Sequence, residues 1–183
     1  MKHLAVVVDW YGPYSAEEAE KSARLDYESG LYLGIGKLKH QKSPPVPQYV
    51  GLSKNLAVRL SNHNKSPMIT RVARIWLGEV ATAEVPGVKS KKTAATLDLA
   101  EWALAYFMKI PLNSKKRLSS PDHSISLLNR WWRKDYETPW VRRPHARWPD
   151  FIDYMGDHLP AKLIWFGRST NQSEASVCCV TLR

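Results

Sequence analysis

The stretch Gly30-Leu-Tyr-Leu-Gly-Ile-Gly36, followed beyond a proline-marked loop by Gln48-Tyr-Val-Gly-Leu52, decides how this chain is read. Both segments alternate strictly, as half-buried strands do. Leu31, Leu33 and Ile35 take one face, and Tyr32, Gly34 and Gly36 the other. Val50 and Leu52 oppose Tyr49 and Gly51 in the same way. Each strand therefore sets a tyrosine next to a glycine on one face. Glycine weakens a strand interior and often marks the close approach of a backbone or a ligand. The pattern fits a groove with phenolic walls; the plainer alternative is two tyrosines packed on a helix.

Downstream, Ser53 offers an N-cap for a helix from Lys54 to Asn64, with Leu56 and Leu60 turned inward. Arg59 and His63 are four residues apart and share one helical face. With no carboxylate nearby in sequence, they suit an anionic guest, or else form a solvated face. Thr70 to Val80 reads as a third strand, and Thr93 to Met108 as a long helix stopped by Pro111. Within Leu99 to Met108, Glu101 is the sole formal charge and aligns with Leu97, Leu104 and Met108. A buried carboxylate needs a cation, because an unpaired buried charge costs several kcal/mol. An arginine or a metal would supply it. Asn113 lies just past the helix end, where its alternative reading is a turn residue.

Upstream, Leu4 to Asp9 has strand composition, and Ser15-Ala-Glu-Glu18 forms a capping box for a short helix to about Leu25. From Ser119 the character changes to a tryptophan- and arginine-rich stretch containing Trp131, Trp132, Trp140 and Trp148. These tryptophans suit either base stacking or a satellite core. Strands are expected at Ala161 to Gly167 and Ser176 to Leu182. The latter carries the only cysteines, Cys178 and Cys179, too few for a disulfide framework or a zinc site. They read as packing residues in a reducing, cytoplasmic setting. The N-terminal apolar run Leu4 to Val8 is too short for a signal-peptide core, and no segment approaches a membrane span.

The formal charge is +10, unevenly distributed. Residues 29–78 hold Lys37, Lys39, Lys42, Lys54, Arg59, Lys65, Arg71 and Arg74 and no acid, whereas residues 109–149 carry 10 basic and 3 acidic groups. Like charges gathered in this way repel one another unless a polyanion relieves them, and a phosphate backbone is the obvious one. The alternative is simply a basic surface.

Taken in order, Gly30-Leu-Tyr32, Tyr49-Val-Gly51, Arg59 with His63, Glu101 and Pro111-Leu-Asn113 resemble the motifs of the GIY-YIG nuclease superfamily. The resemblance spans roughly residues 29–115 and is nearest to the restriction endonucleases of type II. The 16 residues between Tyr32 and Tyr49 exceed the usual connection.

The resemblance implies a single α+β domain over residues 1–183. Its core, at 29–115, would be a small central three-stranded antiparallel sheet flanked by helices. Residues 1–28 and 116–183 would be N- and C-terminal elaborations. It also implies metal-dependent hydrolysis of DNA phosphodiesters, with Mg2+ (or Mn2+ in its place) held by Glu101. Arg59 would stabilise the phosphorane and Tyr32 would accept the water's proton, aided by Lys37, Lys39 or the metal. His63 would be a competing base, and Tyr49 and Asn113 positioning groups. Lys37, Lys39, Lys42, Lys54, Lys115, Lys116, Arg117, Arg130 and Arg133 would grip double-stranded DNA, with a homodimer suited to cutting both strands. The rivals are a structure-selective or non-specific nuclease of repair, mobile-element or toxin type, a catalytically silent nucleic-acid-binding protein, and a basic structural protein.

Overall fold

A computed structural model describes residues 3–62, 69–81, 94–167 and 176–180. The elements in chain order are β1 (Leu4–Tyr14), α1 (Ala16–Asp26), β2 (Gly30–Leu38), β3 (Val46–Ser53), α2 (Leu56–Ser61), β4 (Ile69–Val80), α3 (Ala94–Phe107), β5 (Ile125–Trp132), β6 (Phe151–Tyr154), β7 (Ala161–Trp165) and β8 (Ser176–Val180). The strands form one eight-stranded sheet in the order β3-β2-β4-β1-β5-β6-β7-β8. All pairings are antiparallel except β1 with β5.

This overturns the expected small three-stranded sheet. β2, β3 and β4 do pair with one another, but they make only one end of a continuous mixed sheet. Residues 1–28 are no appendage, because β1 lies at the sheet's centre between β4 and β5. The physical reason is that β4 has two edges. β2 saturates one, and Val8 to Tyr11 of β1 pair with Leu77 to Val80 on the other. β1 then offers its own free edge, and the 125–132 segment fills it from Leu4↔Ile125 to Tyr11↔Trp132. The polar residues Ser126, Asn129 and Arg130 interrupt β5 and hide its strand character from a reading of hydrophobicity alone.

Local signals place the helices. Ser15 caps α1: its side chain accepts from the Glu18 N–H while Glu18 accepts from the Ser15 N–H. α2 is shorter than expected, and its cap is Asn55, whose side chain accepts from the Val58 N–H. Ser53 instead binds the backbone of Asn55.

The main core lies between α3 and one sheet face. It joins Leu31, Leu33 and Val50 to Leu97, Ala100 and Leu104, and to Ile125, Leu127, Ile152 and Leu163 farther along. Trp148 is fully buried and meets Trp10, Trp76 and Trp131 edge-on. Trp131 and Trp148 are thus core residues, while Trp140 stays 39% exposed.

On the opposite face α1 and α2 cover Tyr32, Ile75 and Leu77. Farther along this face Val7, Leu128, Phe151 and Ile164 stand in register across β1, β5, β6 and β7, each half-buried. Among the described residues no helix is long and apolar enough to cross a membrane.

Candidate active site

The register of β2 on its neighbours sets the floor of the site. Tyr32 stands opposite Gly51 on β3 and Leu77 on β4, and Gly34 stands opposite Tyr49 and Ile75. The two tyrosines are therefore diagonal, with ring centroids 5.7 Å apart and planes inclined by 36°. A Cβ at residue 51 would lie 2.5 Å from the Tyr32 ring and 2.7 Å from Tyr49, so only glycine fits there. The close approach expected at this glycine is made by the tyrosines themselves.

α2 brings Arg59 onto this pair. Its Nε donates to the Tyr32 hydroxyl at 3.0 Å, and Tyr49 also hydrogen-bonds the guanidinium. The contact with Tyr32 holds the Arg59 pKa above its ordinary value. Burial, reinforced by Tyr49, pushes the Tyr32 phenol well above the ordinary tyrosine range, and Arg59 offsets only part of that. At neutral pH Tyr32 is un-ionised. This arrangement suits a hydrogen-bonding and positioning group better than the proton acceptor that the resemblance implies.

Glu101 is 8% exposed, as its place on an apolar helix stripe requires. Burial raises its pKa, while Lys116 and, at longer range, Arg59 lower it. Arg59 therefore shares an electrostatic neighbourhood with a carboxylate 42 positions away in the chain. The cation that Glu101 needs is neither an arginine nor of necessity a metal: Lys116 Nζ lies 2.6 Å from Glu101 Oε2 and 2.6 Å from Asp98 Oδ1. It also donates to the Asp98 carbonyl at 3.3 Å. Burial works against the lysine's charge, but its bonds to Asp98 and Glu101 win and raise its pKa.

Asn113 is 7% exposed and fully engaged. Its Oδ1 accepts from the Val50 N–H at 2.9 Å and its Nδ2 donates to the Val50 carbonyl at 2.7 Å. With Leu112 N–H donating to the Gln48 carbonyl, it completes the outer edge of β3. Asn113 acts on the site through Val50, one residue from Tyr49. His63 lies outside the described residues, as do the side chains of Cys178 and Cys179.

The basic residues divide into two sets. Lys39, Lys42, Lys54, Lys115 and Arg117 are exposed and Lys37 is half-buried. Arg130 and Lys116 are engaged within the fold. Arg130 makes two 2.6 Å bonds to Asp9, a buried carboxylate that also accepts from Trp132 Nε1. Arg133 lies over the Trp140 ring at 5.0 Å. Both Asp9 and Lys116 were invisible as partners in the sequence, because β1–β5 pairing and the turn after α3 bring them in.

A divalent ion would meet hard oxygen donors at Glu101 and Asp98, the class that magnesium takes, which binds through one or two carboxylates plus substrate phosphate and water. The Lys116 ammonium held by those same oxygens marks the place as one that attracts a cation. Among the described residues no group of three or more His, Cys, Asp or Glu converges to hold a metal without help. An ion there would need the rest of its ligands from substrate and water.

No known protein family, characterised protein or solved structure matches the chain.

Proposed function

We propose that this chain is a metal-dependent endonuclease that hydrolyses DNA phosphodiesters, with Tyr32, Tyr49, Arg59 and Glu101 as its working residues. The supporting observation is the Arg59 Nε–Tyr32 hydroxyl bond at 3.0 Å, made beside Tyr49 and within the field of Glu101. Three residues from three separate elements meet there, with Glu101 of α3 in electrostatic range of Arg59, and a phenol–guanidinium pair is a poor way to hold an ordinary core together.

Arg59 gives Nε to Tyr32 and also bonds Tyr49, and the donors left on its guanidinium would meet the non-bridging phosphate oxygens, where negative charge grows in the transition state. Tyr32, un-ionised, fixes that guanidinium and presents a hydroxyl to the phosphate or the attacking water. Tyr49 walls the other side. Glu101 would hold a divalent ion, magnesium or manganese, which would supply Lewis-acid polarisation of the phosphate. Lys116, which bonds Glu101 Oε2 at 2.6 Å, would share that carboxylate with the ion. Cutting both strands with one site per chain calls for two copies, measurable by sedimentation equilibrium with and without DNA.

A second reading, nucleic-acid binding without cleavage, is favoured by one observation: Lys116 already neutralises Glu101. Incubation of the purified protein with a defined plasmid, with magnesium or with EDTA, separates the two. The nuclease reading expects metal-dependent fragments or nicks, abolished in Glu101→Ala while a mobility shift is retained. Glu101→Ala activity within tenfold of wild type would overturn the mechanism. A mobility shift with no cleavage under any metal would move the assignment to a binding protein.

A further inference from the structure

The two glycines beside the tyrosines are covered differently, one by aromatic rings and the other by a single aliphatic methyl. Gly51 is filled by the tyrosine rings, whereas a Cβ on Gly34 would meet only the Ile69 Cδ1 methyl, at 2.9 Å. Above Gly34 lies a cavity of about 140 Å³, walled by Tyr32, Tyr49, Leu60 and Ile75, with Ala73 and Arg74 at its lining. Its size is close to the roughly 150 Å³ of an apolar cavity that takes up one benzene ring. The floor is Gly34 with the Ile69 methyl upon it, two walls are aromatic, and Ala73 and Arg74 are exposed at the surface.

We infer that this cavity receives one nucleobase withdrawn from its stack, with a single-ring pyrimidine the best fit. Aromatic walls stack on any base face and need no hydrogen-bond code, and the volume sets the limit at about one six-membered ring. Arg74 is placed to meet the phosphate of the same nucleotide. Tyr32 forms a wall of the cavity with its ring and bonds Arg59 with its hydroxyl. A base in the cavity therefore sets a neighbouring phosphate beside the proposed cleavage group. The substrate class is nucleic acid with an unpaired or extruded pyrimidine; intact duplex would have to pay the cost of extrusion, a few kcal/mol. This inference rests on the nucleic-acid reading of the same site.

The test uses the full chain in EDTA, so that no cleavage intervenes, with a short single-stranded thymidine oligonucleotide carrying one 5-fluorouracil. Binding is followed by fluorescence anisotropy of an end label, and base burial by the 19F resonance. The inference expects a displaced, broadened 19F resonance on binding. Gly34→Val, which fills the floor, should return that resonance to its unburied position and weaken binding about tenfold or more. Ala73→Phe blocks the rim from an exposed position and serves as the second variant if Gly34→Val fails to fold by circular dichroism. A 19F resonance that stays unperturbed while anisotropy reports binding would overturn the pocket and leave the nuclease reading intact. A perturbation unchanged in both folded variants would do the same. Absence of any oligonucleotide binding would overturn the pocket, and metal-dependent plasmid cleavage, measured separately, then decides the nuclease reading.

Discussion

Burial raises the pKa of Glu101, Lys116 pulls it back, and burial wins. The folded protein thus holds the Glu101 proton more tightly than the unfolded chain does. The stability from this group is complete below the ordinary carboxylate value of about 4.3. It is lost as the pH rises through the raised value in the fold. At neutral pH ionised Glu101 carries a desolvation cost that its pair with Lys116 offsets in part. Glu101→Gln, which resembles the protonated form, is expected to melt at a higher temperature than wild type at pH 7, the two converging near pH 4. Thermal melts across that range check it; a lower melting temperature for Glu101→Gln at pH 7 would mean that the Lys116 ion pair outweighs desolvation.

β3 is the strand at the end of the sheet, and its outer edge would be a row of unpaired backbone groups without the turn after α3. Asn113 pairs both groups of Val50, a fully buried residue. Leaving a buried donor or acceptor unpaired costs about 1–3 kcal/mol each. Asn113→Ala is therefore expected to destabilise the protein by about 2–6 kcal/mol. It should also misplace Tyr49, so that cleavage falls together with stability. Urea denaturation and plasmid cleavage measure the two effects. Full stability with lost activity would instead return Asn113 to a direct role on the phosphate. Two acids of α1 tie down the chain after β5, Glu18 accepting from Lys134 at 2.8 Å and Asp26 from the Tyr136 hydroxyl at 2.8 Å.

Among the described residues the basic groups differ in whether they can reach a polyanion. Lys37, Lys39 and Lys42 sit at the end of β2 and in the turn beyond it, while Lys116 and Arg130 are committed to Glu101 and Asp9. Each phosphate neutralised on duplex DNA contributes about 0.9 to the slope of log affinity against log salt. Replacing Lys37, Lys39 and Lys42 by alanine should lower that slope by about 2–3. Arg130→Ala should barely change it and should instead destabilise the fold by freeing the buried Asp9 carboxylate. Salt titrations of DNA binding distinguish the two; an equal slope change from Arg130→Ala would show that its ion pair opens on binding.

Sequence alone determined what depends on near neighbours. Alternation located β2 and β3, the capping box located α1, and the isolation of Glu101 on an apolar stripe announced a buried carboxylate in need of a cation. It also placed Arg59 and the two tyrosines in one candidate set, by motif order. What only the tertiary structure decided is long in range. The eight-stranded sheet arises because an open strand edge accepts whichever segment the chain delivers, and β1 finds β5 more than a hundred residues away. Lys116 became the partner of Glu101, Asn113 became an edge clamp, and Gly51 became a seat for two rings. None of these follows from spacing, because each is set by which surfaces meet when the core closes. Local propensity is written residue by residue, whereas the choice of partner is made by packing.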